Sequence, residues 1–363
     1  TYSNCSYVCS LLRPEIFRDL NLQKYGLQVL PYGGSVTFMQ NGDIFGGYSD
    51  DDLARREIGR FSKRDADAYV RFARDVSKQC RFIKPMLLRT PPDPTSFKPK
   101  DLGELIYLFK RLYSLGEQTI YDTIRFYTMS VAEYLDEYFE SDVIKAALSG
   151  SGIIGTGLGP YSPGTAYVLL HHYMGEVDGS IGSWGFARGG MGSIAKALAD
   201  AFKDYDGELL TDAEVSQIIV KRGRAKGVVL SNGDEYYAKN IVSNLDVKRT
   251  YQKLFDPKDL SEKVLKQVDN FKIRGSSGKL NIALDGIPEF PALGKNNPLI
   301  LSDMHFIDST ERMERAYDDW KNGRWSRDPY TDVLIPTMTD PTMSPPGKHY
   351  MSVFVQYAPA KLS

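Results

Sequence analysis

The chain has 363 residues, is 42% hydrophobic and 25% charged, and carries a formal net charge of −1. That length supports one large domain or two ordinary ones with a real core, and the near-neutral charge leaves no case for nucleic-acid binding through a bulk field. No apolar run is long enough to span a bilayer, and no signal peptide opens the sequence. The three cysteines, Cys5, Cys9 and Cys80, are odd in number and contain no C-x-x-C spacing. They imply neither a disulfide framework nor a metal knuckle, so the expected compartment is reducing: cytoplasmic or, in a eukaryote, mitochondrial. The 23 Tyr and 17 Phe suit either an apolar cavity with polar tips or distributed cores.

In chain order, Arg13-Pro14-Glu15-Ile16-Phe17 starts a helix with Pro14 in its first turn, and Gly26 follows it. Val36–Met39 and Ile44-Phe45 read as short strands around an Asn41-Gly42-Asp43 turn. Residues 51–89 are expected to be helical, with a capping-box-like start at Ser62 and a face of Ala66, Tyr69, Val70, Ala73 and Val76. The proline-rich run from Thr90 to Pro99 reads as a linker or lid hinge. Helices over 101–149 show caps at Ser130 and Ser141 and an apolar face of Leu102, Leu105, Ile106 and Phe109.

Residues 149–192 are Gly-rich. A helix from Ser162-Pro163 carries His171 and His172 and is expected to stop at Gly175. Adjacent histidines point to different faces, so they are not the i, i+4 pair of a helical zinc site, and no metal site is expected. Either one is a satisfied histidine or a group that positions substrate, as is Trp184. Arg188 fits a surface ion pair and the neutralisation of a ligand charge equally well.

Gly189-Gly190-Met191-Gly192 opens a helix with an apolar face at Met191, Ile194, Ala195, Leu198 and Phe202, stopped by Gly207. The glycines permit close backbone approach, and the helix N-terminus offers N–H groups to an anion. Glu208–Val220, with Val215, Ile218, Ile219 and Val220 as strand formers, Gly227–Leu230 and Glu235–Ala238 form a meander, with an Asn232-Gly233 hairpin signal. Asn240–Asn244 reads as a buried parallel strand. Beyond it lie a short helix at 260–270, a strand at Lys279–Leu284, apolar strands at Leu299–Leu301 and Val333–Ile335, a helix at 310–322 and a strand at Met351–Tyr357. Lys361-Leu362-Ser363 is not a Ser-Lys-Leu peroxisomal address, because the order is wrong. No nucleophile constellation, paired carboxylate or metal cluster stands out.

The ordered set Gly189-Gly190-Met191-Gly192, Leu198-Ala199, Glu214-Val215, Gly227-Val228, Asn232-Gly233 and Ser243-Asn244 resembles the phytoene-desaturase-like flavoproteins. These are FAD-dependent oxidoreductases related to the amine oxidases. Leu12-Arg13-Pro14 with Asp19-Leu20 and Gly26-Leu27 is similar to the branch called pyridine nucleotide-disulfide oxidoreductase domain-containing proteins, although no redox cysteine pair is present. The resemblance implies that the Val215 backbone meets the adenine of FAD, that Ser243 and Asn244 lie near the same end, and that Gly189 and Gly190 face the flavin region. It also implies a hydrophobic small-molecule substrate and possible peripheral membrane contact.

No Gly-x-Gly-x-x-Gly follows a strand, so the expectation is an internal piece of a longer flavoprotein. The expected fold is mixed α+β and α/β. Residues 1–183 form a mostly helical substrate and lid region, 184–250 part of a Rossmann-like FAD domain with its meander, and 251–363 a substrate-domain sheet. The alternative is a non-catalytic binding or protein-interaction module that has lost its flavin.

Overall fold

The computed structural model describes residues 6–31, 33–114 and 116–360. Cys5 and the Lys361-Leu362-Ser363 tripeptide lie outside these. The fold is mixed α+β, and the chain divides into two compact units: Thr1–Ala201 with Gly275–Ser363, and Phe202–Arg274. The sequence boundaries at 183 and 250 differ from this division, because residues 184–201 pack with the first unit.

In the first unit the chain runs through α1 (Pro14–Asp19), β1 (Val29–Pro31), β2 (Ser35–Phe38), β3 (Ile44–Gly47), α2 (Asp51–Phe61) and α3 (Lys63–Ile83). Next come α4 (Pro99–Tyr113), α5 (Glu117–Thr128), α6 (Val131–Asp136), α7 (Asp142–Ile153) and α8 (Thr165–Tyr173). The short strands β4 (Glu176–Val177), β5 (Ser180–Ile181) and β6 (Gly185–Ala187) lead into α9 (Gly192–Asp204). In the second unit β7 (Val215–Lys221), β8 (Arg224–Leu230) and β9 (Glu235–Tyr237) precede α10 (Glu262–Asn270). Returning to the first unit, β10 (Ser277–Leu284), β11 (Asp303–His305), α11 (Thr310–Lys321), β12 (Tyr330–Leu334) and β13 (His349–Gln356) complete it.

The main sheet has the order β10-β13-β12-β11-β2-β3, antiparallel except where β11 pairs β2 in parallel. Register explains its two faces. Val36, Met304, Val333 and Val353 align across the strands and bury one face against Leu293 and Leu299. Thr37, His305, Asp332 and Phe354 align one position on and build the opposite face, where Thr37, His305 and Asp332 are polar yet buried and Phe354 is half-buried. Alternation along a strand normally separates a dry face from a wet one. Here both faces are covered, and the polar one is where chemistry can be housed.

The helical core gathers around Phe72, whose ring meets those of Tyr138, Phe139 and Tyr173 edge-on. The buried residues of α3 are Asp65, Phe72, Val76, Gln79, Cys80, Phe82 and Ile83, a face rotated from the expected one, and Val70 is exposed. Two of its members are polar and hide from hydrophobic periodicity. Asp65 accepts the amides of Glu140 and Ser141 at 2.9 Å each, and Gln79 accepts the Thr123 hydroxyl. The capping box at Ser130 forms as expected, with Glu133 reaching back to the Ser130 amide. Ser141 sits at its helix start without a side-chain cap.

Close approach is built into α7. A Cβ on Gly152 would stand 2.8 Å from three side-chain carbons of Val131, which is fully buried. Gly152→Ala gains helix propensity of about 1 kcal/mol but overpacks by about 1–3 kcal/mol. The expected result is a lowered melting temperature by calorimetry; an unchanged or raised value contradicts this packing.

In the second unit the three strands of the meander form, but the first begins at Val215 and not at Glu208, since residues 208–214 are irregular. Its left-handed hairpin pair is Arg222 and Gly223, with φ of 52° and 70°. At the second turn only Gly233 is left-handed, so Asn232-Gly233 closes a different turn type from the one its dipeptide suggests. Two strand expectations are corrected. Asn240–Asn244 is irregular and Val242 is 91% exposed, because no strand among the described residues flanks it. Leu299–Leu301 belongs to a 3₁₀ turn, Pro298–Leu301, started by the Asn297 side chain and Pro298.

Candidate active site

The buried polar face of the main sheet centres on Asp303, His305 and Asp332. Residues 303 and 305 alternate on β11, and 305 stands directly opposite 332 on β12. All three therefore share one face. One donor atom from each lies within 4.8 Å of the others, and His305 Nε2 is 3.1 Å from Asp303 Oδ2. That approach lacks hydrogen-bond geometry, and neither ring nitrogen of His305 has a partner; nor does Oδ1 of Asp303 or Asp332.

The Tyr7 hydroxyl donates to Asp332 Oδ2 at 2.5 Å, and the rings of His305 and Tyr330 lie 5.4 Å apart. Burial pushes Asp303 up to about 6. Burial, then the neighbouring Asp303 carboxylate, pushes Asp332 well above the usual carboxylate range. Burial depresses His305. Near neutral pH the coupled carboxyl pair thus favours sharing one proton beside a neutral imidazole.

The Gly189–Gly190 turn lies in the same unit. Both glycines are left-handed, with φ of 80° and 89°, a conformation that other residues adopt only with strain. A Cβ on Gly189 would meet open space. Its amide, however, donates to Asp340 Oδ2 at 2.6 Å, and the Gly190 amide closes onto Ala187 O. The anion at the head of this helix is the protein's own Asp340. Burial raises its pKa, but bonds from Thr342 and Gly189 outweigh that and leave it lowered. Arg188 pairs with the Gln28 side chain at 3.0 Å.

Of the histidine pair, His172 stacks on Trp184 with centroids 5.9 Å apart and holds Val168 O through Nδ1 at 2.9 Å. His171 stands at 89° to it. Burial lowers both pKa values, and the carboxylate of Asp332 is felt at His172. The structure thus brings His172 and Trp184 together, with the His171 ring nearly perpendicular to that of His172.

The other cofactor candidates lie in the second unit. Val215 opens β7, half-buried, opposite Leu230. Ser243 bonds the Thr250 hydroxyl at 2.9 Å, and Asn244 is exposed on the irregular segment that follows.

FAD fits the first unit on one further observation. A groove of about 750 Å³ runs along Leu12, Gln28, Val29 and Glu176, beside the β1–β6 pair that leads into the Gly189–Gly190 turn. Ser10 lines it, and its hydroxyl is buried without a partner.

Sequence reasoning missed Tyr7, Asp303, His305, Asp332 and Asp340. The only available signal was the Asp303-Met304-His305 alternation; its link to Asp332 exists only through strand pairing.

The profile of a family described as flavin containing amine oxidoreductase matches residues 122–362. The mouse pyridine nucleotide-disulfide oxidoreductase domain-containing protein 2 is 31% identical, covering 100% of this chain and 66% of that protein. The chloroplastic prolycopene isomerase of Daucus carota is 30% identical over 71% of this chain and 38% of its own length. The chain thus spans at most about two thirds of these relatives. An oxidoreductase from Methanosarcina mazei shares the fold with a TM-score of 0.54 at 14% identity, over 95% of this chain and 64% of that one.

Proposed function

The chain belongs to the flavin containing amine oxidoreductases, an FAD-dependent family, and from that premise we propose that it supplies the substrate-side wall and part of the FAD site of an oxidoreductase acting on a hydrophobic small molecule. The observation that carries this reading is the Gly189–Gly190 turn, whose left-handed glycines are clamped through the Gly189 amide by Asp340 in the same unit as the buried polar groups of the main sheet. In such enzymes the cofactor accepts the electrons, and the protein provides a dry, shaped pocket with a few placed polar groups. Gly189, Gly190, Val215, Ser243 and Asn244 are the proposed cofactor contacts, with His172 and Trp184 on the substrate side.

A hydrophobic substrate is supported by the carotenoid in the name of the carrot relative and by α4. That helix buries none of its residues and exposes Leu102, Ile106 and Phe109. Arg74, Lys78 and Arg81 line a cavity of about 780 Å³ with Arg111 of α4, which supports peripheral contact with an anionic membrane surface through this side of the unit. No helix among the described residues is long and apolar enough to cross a membrane. We also propose a reducing compartment, cytoplasmic or mitochondrial, since Cys9 and Cys80 are free thiols.

The test is anaerobic mixing of the complete FAD-loaded protein with phytoene, the colourless carotenoid named in the 26% identical Rhodobacter capsulatus desaturase, in micelles or with an aliphatic diamine, following flavin absorbance at about 450 nm. Bleaching by the carotenoid is expected. Bleaching by the diamine alone overturns the substrate class.

A further inference from the structure

We propose that Asp303, His305 and Asp332, with the Tyr7 hydroxyl, form the proton-exchanging group of this reaction; the proposal rests on the flavoprotein reading above. His305 is 6% exposed and Asp332 3%, and neither makes the full set of bonds that buried polar groups normally find. No lysine or arginine among the described residues is seen to offset either carboxylate. Buried titratable groups with perturbed proton affinity cluster at functional sites.

Two chain paths run from the cluster to the flavin-facing turn. From Asp332, β12 leads on to Asp340, whose carboxylate holds the Gly189 amide. From Tyr7 the chain reaches Cys9, which bridges Gly185 on β6, and β6 enters the turn. His172, within reach of the Asp332 charge, stacks on Trp184 of the same segment.

The chemistry balances. Dehydrogenation removes two electrons and two hydrogens and leaves a double bond in the substrate. The oxidised flavin, when bound, accepts the electron pair with one hydrogen. The second hydrogen leaves the neighbouring substrate atom as a proton, and the neutral His305 imidazole takes it. The imidazolium so formed is stabilised by the Asp303–Asp332 pair, which releases its one shared proton toward solvent. A terminal acceptor such as oxygen or a quinone then takes the electrons.

The test needs no substrate. In the complete FAD-loaded protein, dithionite titration of the flavin across about pH 5 to 8 gives the protons taken up per two electrons from the slope of potential against pH. Negative charge arriving beside the cluster raises its proton affinity. The wild type is expected to take up close to one proton more than His305→Gln, and Asp332→Asn to move the pH at which that proton is taken. Should His305→Gln fail to fold, Asp332→Asn and Asp303→Asn decide. Identical slopes in the wild type and in every folded variant, with flavin bound, overturn the proposal and leave the flavoprotein reading intact. A complete wild-type protein that binds no FAD overturns that reading instead.

Discussion

Replacing Asp340 with alanine destabilises the chain by about 1–2 kcal/mol and weakens flavin retention in the complete protein. Asp340 is 1% exposed and accepts the Gly189 amide at 2.6 Å, the Thr342 amide at 3.1 Å and the Thr342 hydroxyl at 2.6 Å. Removing it takes the acceptor from these donors, but Gly189 and Thr342 are themselves exposed, so water replaces part of the loss and the net cost is about 1–2 kcal/mol. It also frees a turn whose left-handed glycines have no other clamp of this kind. Asp340→Asn keeps one acceptor oxygen and should fall between the two.

The pH dependence has a fixed sign. The folded carboxyl titrates below its ordinary value, so its contribution is complete above the unfolded pKa of about 3.9 and is lost as pH falls through the lower folded value. Denaturant melts at neutral pH should therefore show the full deficit of Asp340→Ala, and melts in strong acid a smaller one. Wild-type stability and full flavin content in this variant contradict the assigned role.

Replacing Val215 with aspartate weakens FAD binding by at least about tenfold, or about 1.4 kcal/mol, with little effect on folding. Val215 begins β7 and is half-buried, so the fold tolerates a polar group there within about 0.5 kcal/mol. An adenine stacked on the same backbone would meet an unpaired carboxylate. Val215→Ile serves as the control and should retain the cofactor. Flavin content measured after gel filtration checks this, and equal retention in Val215→Asp removes residue 215 from the cofactor site.

The elements legible in the sequence are those whose signal is local. Pro14 at a helix start, the Ser130–Glu133 capping box and the meander from Val215 to Tyr237 all form where dipeptides and periodicity place them. The Gly189–Gly190 turn was legible for the same reason. What stayed hidden depends on pairing distant strands or on buried polar residues. The face of α3 includes Asp65 and Gln79, which a hydrophobic pattern counts as exposed. Leu299–Leu301 looks like a strand until Asn297 and Pro298 wind it into a 3₁₀ turn. The Asp303–His305–Asp332 cluster could not be read at all, because its members meet only through the β11–β12 register and the parallel pairing of β11 with β2.

The central claim is that the chain is part of a flavoprotein, and the visible spectrum of the purified complete protein tests it most directly. Bands near about 370 and 450 nm, from the cofactor's own chemistry, are the predicted result. A colourless, folded protein of correct intact mass that takes up no added FAD would contradict it.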